Sequence, residues 1–358
     1  MVQAKHICFV LLLSQFLWCN YCTSTPLVPA LYVFGDSLFD GGNNNWLPTL
    51  AKANYLPYGQ DFPKGPTGRF NNGKLLVDFI AEYLGLPFSP PYIKPFRTNS
   101  LTGYNYASGA CGILSETGKD IGICLDLDSQ IKLFERTVRK HLSSKLENPT
   151  QVSQHLAKSI FMVSMGSNDF LGNYFGKSSE TRKLYNPQEF TQLLVDSLSQ
   201  KLQILYELGA RKVVVLEVGP IGCLESMIKR FKPNGRCDEN VNQIVINFNT
   251  ELDMMLKKLS STLEHSHFIL GRANSLGYDA IINPGNHGLR DSKNPCCTTW
   301  ENGTLTCIPL LEACPNPNKH FFWDSSHPTE AVNSLIASQC INGSSVCLPL
   351  NIQQLVQV

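Results

Sequence analysis

Residues 31–38, Leu31-Tyr-Val-Phe-Gly-Asp-Ser-Leu38, join a short apolar run to a polar turn. The run over 31–34 is apolar and partly β-branched, which is typical of a buried strand. Comparable runs lie at 160–164 and 212–217, with a weaker one at 267–270. We therefore predict a strand at each of these four runs.

The segments between these runs have the length and pattern of helices. Apolar residues at helical spacing predict four helices, and a proline that suits a first turn predicts the start of a fifth. Strands that alternate with helices are typical of a parallel sheet covered on both faces. No repeat or low-complexity linker divides the sequence, so we predict one α/β domain. The predicted helices cover 74–84, 129–141, 187–208, 241–263 and 328–340.

The composition excludes several classes of protein. The chain has 358 residues, of which 43% are hydrophobic and only 16% are charged, so bulk disorder is excluded. Its net charge is +1, and no long run of lysine and arginine occurs. Nucleic acid is therefore not an expected partner, because nothing provides the electrostatic attraction that it requires.

The N-terminus predicts secretion. A basic start at Lys5 precedes an apolar run over 7–18, and small polar residues follow. This pattern is typical of a secretory signal peptide, whereas a membrane span needs roughly 20 apolar residues. A buried N-terminal helix is the alternative, but it would show polar positions at helical spacing. We predict a signal peptide over 1–24 and a mature domain over 25–358, with no transmembrane anchor.

The cysteines agree with an oxidising compartment. Three of the 13 lie within the predicted signal peptide, so its removal leaves ten, an even number. Four of these crowd the stretch before the last predicted helix, which predicts disulfides that fasten a loop-rich region. A zinc site with His320 is the alternative, but two of the four are adjacent and do not match C-x-x-C spacing. The four are Cys296, Cys297, Cys307 and Cys314, and their connectivity stays open at this point.

Two sequons predict glycosylation. They are Asn302-Gly-Thr304 and Asn342-Gly-Ser344. The proline in Asn148-Pro-Thr150 disqualifies that third site.

The turn after the first predicted strand offers a nucleophile. In open α/β sheets, ligands bind beyond the carboxyl ends of the strands, which is where Ser37 is expected. A serine hydroxyl is a poor nucleophile until a neighbouring base takes its proton. By itself Ser37 would more often cap the following helix, so the remainder of the chain must supply a base and an oxyanion hole.

A candidate base lies near the C-terminus. Asp324 precedes His327 by three residues, in a loop just before the last predicted helix. This spacing lets the carboxylate accept the imidazole Nδ1–H, which fixes the tautomer and leaves Nε2 facing outward. A local salt bridge or a hydrogen bond at the helix start is the alternative for an isolated pair. No other histidine has a comparable carboxylate partner in the sequence.

Two turns offer donors for an oxyanion. Asn168 follows the strand predicted over 160–164, and a glycine-rich turn over 103–112 includes Gly109. Both are ordinary loop chemistry when taken alone. A phosphate cradle is excluded for the second turn, because it lacks the Walker lysine and the G-x-G-x-x-G spacing.

Together these motifs resemble the plant-type GDSL esterase/lipase family of the SGNH hydrolase superfamily. The first matching block is Phe34-Gly-Asp-Ser-Leu-Phe-Asp-Gly-Gly-Asn-Asn-Asn45. Further blocks follow in the family's order over essentially the whole mature chain. They lie at 57–59, 65–73, 78–87, 105–109, 166–169, 219–223 and 324–328.

The resemblance implies a fold and a set of roles. The fold would be a flavodoxin-like three-layer α/β/α sandwich with a central parallel sheet. Ser37 would be the nucleophile and its N–H an oxyanion donor, with the Gly109 N–H and the Asn168 side chain as further donors. His327 would be the general base and Asp324 its orienting carboxylate. No metal or organic cofactor is implied.

The same resemblance implies a secreted serine esterase or lipase. It would act on lipid or other acyl esters as small-molecule substrates, in the apoplast or cell wall. The alternatives are an acyltransferase or a polysaccharide deacetylase on the same triad, or a secreted binding or defence protein without catalysis. The sequence departs from the family at Ala110-Cys111, which suggests a local disulfide with Cys124 as the candidate partner.

Overall fold

Five strands form a single mixed sheet in the computed structural model, which describes residues 25–94, 100–176, 179–300 and 306–358. The spatial order is the chain order, with β1 to β4 parallel and β5 antiparallel to β4. The strands are β1 (Leu31–Gly35), β2 (Ile160–Ser164), β3 (Lys212–Leu216), β4 (His267–Gly271) and β5 (Cys347–Leu348). The predicted signal peptide and Asn302 lie outside the described residues.

A further extended segment lies along the free edge of β1. Val33 donates its N–H to the carbonyl oxygen of Tyr104 at 3.0 Å, and Tyr106 donates to that of Val33 at 2.8 Å. Ser108 likewise donates to the carbonyl oxygen of Gly35 at 2.9 Å. This parallel pairing gives the sheet a flavodoxin-like order, in which the second extended segment lies outside the first strand. It also brings the glycine-rich turn beside Ser37.

Two groups of helices cover the faces of the sheet, so the predicted three-layer sandwich is confirmed. The helix α5 contacts α2 and α7 in one layer, and α9 contacts α1 and α8 in the other. The helices are α1 (Leu76–Tyr83), α2 (Leu127–Arg136), α3 (Pro149–Lys158), α4 (Thr181–Leu184), α5 (Pro187–Glu207), α6 (Glu225–Phe231), α7 (Glu239–Thr262), α8 (Ala273–Ile282), α9 (Glu330–Asn342) and α10 (Ile352–Leu355).

The predicted strands match the structure to within one residue at their ends, but the start of the last helix was wrong. The helix α9 begins at Glu330 rather than at Pro328. Pro328 instead forms a β-bridge with Phe322, and Thr329 has extended backbone at the N-cap. The helices α3, α4, α6, α8 and α10 and the strand β5 were not predicted.

Apolar side chains on both faces of the strands form the core. All five residues of β1 and of β2 are buried, as expected for strands covered by helices on both sides. Aromatic rings dominate the region around β1, where Tyr32 and Phe34 each make an edge contact with Phe134 of α2. This packing holds β1 rigidly below the turn that carries Ser37.

All ten cysteines of the predicted mature chain are paired in disulfides. The zinc alternative is therefore wrong for the four clustered cysteines, since none of them is free to bind a metal. The local pairing of Cys111 with Cys124 is confirmed. The pairs are Cys111–Cys124, Cys223–Cys237, Cys296–Cys314, Cys297–Cys307 and Cys340–Cys347.

Two further features concern the predicted glycosylation at Asn342 and the lengths of the helices. Asn342, the second sequon, is exposed at the end of α9. Among the helices of the described ranges, none has the length and apolar character needed to cross a bilayer.

Candidate active site

Ser37 lies in the turn at the carboxyl end of β1. Asp36 continues the sheet pairing by donating its N–H to the carbonyl oxygen of Ser164 at 3.1 Å. Gln130 of α2 fastens the strand end, because its amide accepts from the Gly35 N–H at 2.9 Å and donates to the Gly35 carbonyl at 2.8 Å. A side chain at Gly35 would meet the Ser164 carbonyl, so only glycine allows this close approach. The turn therefore has a defined position.

Ser37, His327 and Asp324 form a continuous chain of hydrogen bonds. The Ser37 Oγ lies 2.7 Å from His327 Nε2. His327 Nδ1 lies 2.9 Å and 2.8 Å from the two carboxylate oxygens of Asp324. With the proton on Nδ1, Nε2 is free to accept the serine proton, which is the arrangement that activates a serine nucleophile.

The Asp324 carboxylate also shapes the loop that carries Asp324 and His327. The backbone N–H groups of Ser326 and His327 donate to Asp324 Oδ1 at 2.9 Å and 2.8 Å. Trp323 then closes the loop by donating its N–H to the His327 carbonyl at 2.8 Å. Asp324 is fully buried, so these donors replace the water that its charge would otherwise require.

The environment of His327 favours its charged form. Burial by itself lowers the pKa of the imidazole, but the charge and hydrogen bond of Asp324 raise it, and the charge of Asp36 adds to that effect. The net result is a pKa above the ordinary value. The imidazolium that forms when the serine proton is transferred is thus stabilised.

Asp36, directly before the nucleophile, is a titratable group that the sequence reasoning did not use. Burial raises the pKa of its carboxyl to about 7, while the Leu38 N–H and the charge of His327 act in the opposite direction. One oxygen accepts from the Leu38 N–H at 3.0 Å, and the other has no hydrogen-bond partner among the described residues. Asp36 also lines the cavity in front of Ser37.

The predicted oxyanion donors have different surroundings. Asn168 lines the cavity with Ser37, and its amide donates to the carbonyl oxygen of Cys111 at 2.9 Å. Gly109 donates its N–H to Asp40 Oδ2 at 3.1 Å. The Ser37 N–H has no acceptor within the described part of the chain. The oxyanion role of Gly109 stays a prediction, because its N–H is engaged by Asp40 in this structure.

The asparagine-rich segment after Ser37 fastens the glycine-rich turn. Asn43 donates its side-chain amide to the carbonyl oxygens of Asn105 and Ala107 at 2.9 Å and 2.8 Å. Asn44 does the same for the carbonyl of Gly109 at 3.0 Å. These buried contacts hold the blocks at 34–45 and 105–109 side by side in the fold, although they are far apart in the sequence.

A largely apolar cavity of about 510 Å³ opens at Ser37. Its polar lining includes Ser37, Asn168 and His327. Helices from one layer, the end of β3 and the loop before α9 supply most of the remaining wall. Apolar lining residues include Leu76, Leu171, Leu216, Ile221, Ile281, Phe322 and Ile336. The cavity has the size of a typical small-molecule site and suits an apolar group.

Two contacts of the structure were not predicted from the sequence. Tyr58, within the block at 57–59, donates its hydroxyl to Asp324 Oδ2 at 2.6 Å. His287 also has a carboxylate partner, Asp279 at 2.6 Å, contrary to the expectation that only His327 has one. Only the first contact reaches the candidate site. No nearby spacing in the sequence signals it, because Tyr58 and Asp324 are 266 positions apart.

One protein family and several known proteins resemble this chain. A sequence model of the family described as GDSL-like Lipase/Acylhydrolase matches residues 31–340. GDSL esterase/lipase 7 of Arabidopsis thaliana is 41% identical over 367 residues, which covers 100% of both chains. Another GDSL esterase/lipase of that plant is 43% identical over 338 residues, covering 94% of this chain and 88% of the relative. A solved carbohydrate esterase structure matches with a TM-score of 0.37 and 13% identity, covering 88% of this chain and 68% of that chain.

Proposed function

The chain belongs to the GDSL-like lipase/acylhydrolase family and is a carboxylic ester hydrolase, and we propose that it cleaves esters through a covalent serine ester on Ser37. The observation that carries this proposal is the hydrogen-bonded chain from Ser37 through His327 to Asp324. A serine hydroxyl beside an oriented imidazole is the arrangement that acyl transfer requires.

In the first step, His327 takes the proton of the Ser37 hydroxyl as its oxygen attacks the ester carbonyl carbon. Negative charge develops on the carbonyl oxygen, where the Ser37 N–H and the Asn168 amide donate hydrogen bonds. The Gly109 N–H joins them if its bond to Asp40 opens. The tetrahedral adduct then collapses as His327 protonates the departing alkoxide, which leaves the acyl group on Ser37.

In the second step, water replaces the alcohol. His327 takes a proton from the water as its oxygen attacks the acyl carbon, and the same donors hold the second oxyanion. Collapse of this adduct returns the proton to Ser37 and releases the acid. Asp324 keeps the imidazole oriented in both steps and stabilises its charged form.

The cavity favours an ester whose acyl group is apolar, as in a lipid. Apart from polar groups such as Ser37, Asn168 and His327, most of its lining offers no hydrogen bonds to a ligand. An apolar chain gains free energy when it leaves water for such a wall, at roughly 25 cal/mol per Å² of buried surface. A small polar ester would leave most of this wall without contact.

We propose that the protein is secreted, with a signal peptide over 1–24 and one hydrolase domain over 25–358. The disulfides support this proposal, because structural disulfides persist in oxidising compartments. The apoplast or cell wall is the proposed location, and Asn302 and Asn342 are the proposed glycosylation sites.

Labelling with a fluorophosphonate, which reacts with activated serines, tests the mechanism. The wild type is expected to be labelled and to hydrolyse p-nitrophenyl acyl esters, and Ser37→Ala is expected to lose both properties. Ser167→Ala is the matched control, because Ser167 lines the same cavity and its variant should keep the label. A wild type that resists the label, or a Ser37→Ala protein that still turns over ester, contradicts the proposal. Product analysis with a competing alcohol separates hydrolysis from acyl transfer.

A further inference from the structure

We infer that Tyr58 is a positioning residue, which holds the Asp324 carboxylate in the orientation that His327 uses; this role rests on the proposed serine mechanism. The Tyr58 hydroxyl donates to Asp324 Oδ2 at 2.6 Å. The other oxygen, Oδ1, already accepts the N–H groups of Ser326 and His327. Among the described residues, the Tyr58 hydroxyl and the His327 imidazole are the groups that donate hydrogen bonds to Oδ2.

The position of Tyr58 is itself closely determined. The side chain is fully buried, and the Cys307 N–H donates to its oxygen at 3.1 Å. Its ring makes edge contacts with Trp323 and Phe70, with ring centres 6.5 Å and 6.1 Å apart. A hydroxyl held on two sides in this way has little freedom to turn away from Asp324.

The direction of the hydrogen bond follows from these contacts. Because the Cys307 N–H occupies a lone pair of the Tyr58 oxygen, the hydroxyl proton is available for Asp324. Burial and the charge of Asp324 raise the pKa of Tyr58 well above its ordinary range. The hydroxyl therefore remains a donor at every pH at which the enzyme would be assayed.

Loss of this donor has two consequences for His327. A carboxylate with one hydrogen bond fewer is more basic and attracts the imidazole proton more strongly, so the pKa of His327 rises further. The carboxylate is also freer to rotate, so the imidazole is less well aligned with Ser37. Both effects reach the reaction through Asp324 and leave substrate contacts unchanged.

Tyr58→Phe tests the inference, with Tyr55→Phe as the matched control. Tyr55 packs edge-on against Tyr58 and donates its hydroxyl to the Cys307 carbonyl at 3.0 Å, but it makes no hydrogen bond to Asp324. Both substitutions remove one hydroxyl from the same cluster and keep the ring. The measurements are kcat, KM, the pH dependence of kcat/KM and the melting temperature, on one preparation of each protein.

The expected results differ between the two variants. In the wild type, activity falls at acidic pH with a midpoint above 6.5, because the pKa of His327 is raised. Tyr58→Phe should lower kcat roughly ten- to a hundredfold, with KM little changed, and should move this midpoint to higher pH. Tyr55→Phe should keep the wild-type kcat and midpoint. A purely structural role for Tyr58 lowers the melting temperature and moves neither.

Three outcomes overturn the inference. The first is a Tyr58→Phe protein with wild-type kcat and midpoint, and the second is an equal loss in Tyr55→Phe. If Tyr58→Phe does not fold, 3-fluorotyrosine at position 58 is the alternative variant. Its hydroxyl is a stronger donor, so the midpoint of the pH profile should fall. An unchanged midpoint in that protein is the third outcome. Failure of the proposed function is distinguishable, because in that case Ser37→Ala retains activity whatever happens at Tyr58.

Discussion

Asn168 has one structural partner and one expected catalytic partner, and its amide group can serve both. A side-chain amide carries two N–H donors. One reaches the carbonyl oxygen of Cys111 at 2.9 Å, which anchors the side chain while it lines the cavity beside Ser37. The second donor is then available in a defined direction. An anchored donor is what electrostatic stabilisation of an oxyanion requires, because it needs no reorganisation during the reaction.

Asn168→Ala is therefore expected to lower kcat by roughly 10²–10³ and to leave KM little changed. If Asn168 only ties its turn to Cys111, the melting temperature falls and kcat per folded molecule is preserved. Asn173→Ala is the control, since Asn173 donates to Thr117 at 3.3 Å and does not line the cavity. Measuring kcat and thermal stability together separates the roles, and near-normal kcat in Asn168→Ala removes it from the oxyanion hole.

Individual site residues differ in how visible they are in the sequence. Asp324 and His327 stand three positions apart, so their contact is a local property that spacing can predict. Tyr58 and Gln130 act on partners 266 and 95 positions away, and such contacts depend on how the whole chain folds. The engagement of the Gly109 N–H by Asp40 is equally non-local. Spacing predicted contacts within a turn, whereas the pairing of Ser37 with His327, 290 positions apart, was expected only from the family resemblance.

The loop with two disulfides between α8 and α9 supports the site from outside. Cys297–Cys307 closes part of this loop, and the backbone of Cys307 holds Tyr58 through its N–H and Tyr55 through its carbonyl. The disulfide Cys340–Cys347 instead joins the end of α9 to β5, at the sheet edge opposite β1. The two bridges therefore stabilise parts of the molecule at different distances from the Ser37 turn.

Removing each bridge by paired alanine substitutions should give different results. Either loss is expected to lower the free energy of unfolding by about 2–4 kcal/mol, because the unfolded chain regains freedom. Cys297→Ala with Cys307→Ala should also lower kcat, since the support of Tyr58 is loosened. Cys340→Ala with Cys347→Ala should leave kcat of the folded protein near normal. Equal kcat values in the two variants, measured below their melting temperatures, contradict this account.

The elements themselves show where sequence patterns are reliable. Four apolar runs flanked by turns were enough to predict β1 to β4, whereas β5 has only two residues and no pattern to detect. The start of α3 is marked in the sequence, since Asn148 caps the helix and Pro149 is its first residue. Pro328 misled the prediction because it pairs with Phe322 in the loop that presents His327. The geometry of this loop therefore keeps Pro328 out of the first helical turn, where proline is usually found.

Across the whole molecule, several buried or half-buried carboxyl groups have raised pKa values. Burial is the main cause in each case, and hydrogen bonds only partly oppose it. The pKa is about 7 for Asp36 and Glu217, and about 6 for Asp40 and Asp169. The net raised pKa of His327 has the same direction. The combined effect of these groups on the pH dependence of stability is a property of the fold rather than of any one residue.

A group whose pKa is raised on folding stabilises the protein fully below its unfolded pKa, and this stability is lost as pH rises through its folded pKa. The four carboxyl groups therefore predict a melting temperature that falls between about pH 4 and pH 7, and calorimetry over this range checks it. Surface carboxylates with lowered pKa values, such as Asp291, oppose the trend with smaller shifts. Glu217→Gln keeps an acceptor for the Asn274 N–H and should flatten the fall. A melting temperature that rises steadily from pH 4 to 8 contradicts the assignment of these buried groups.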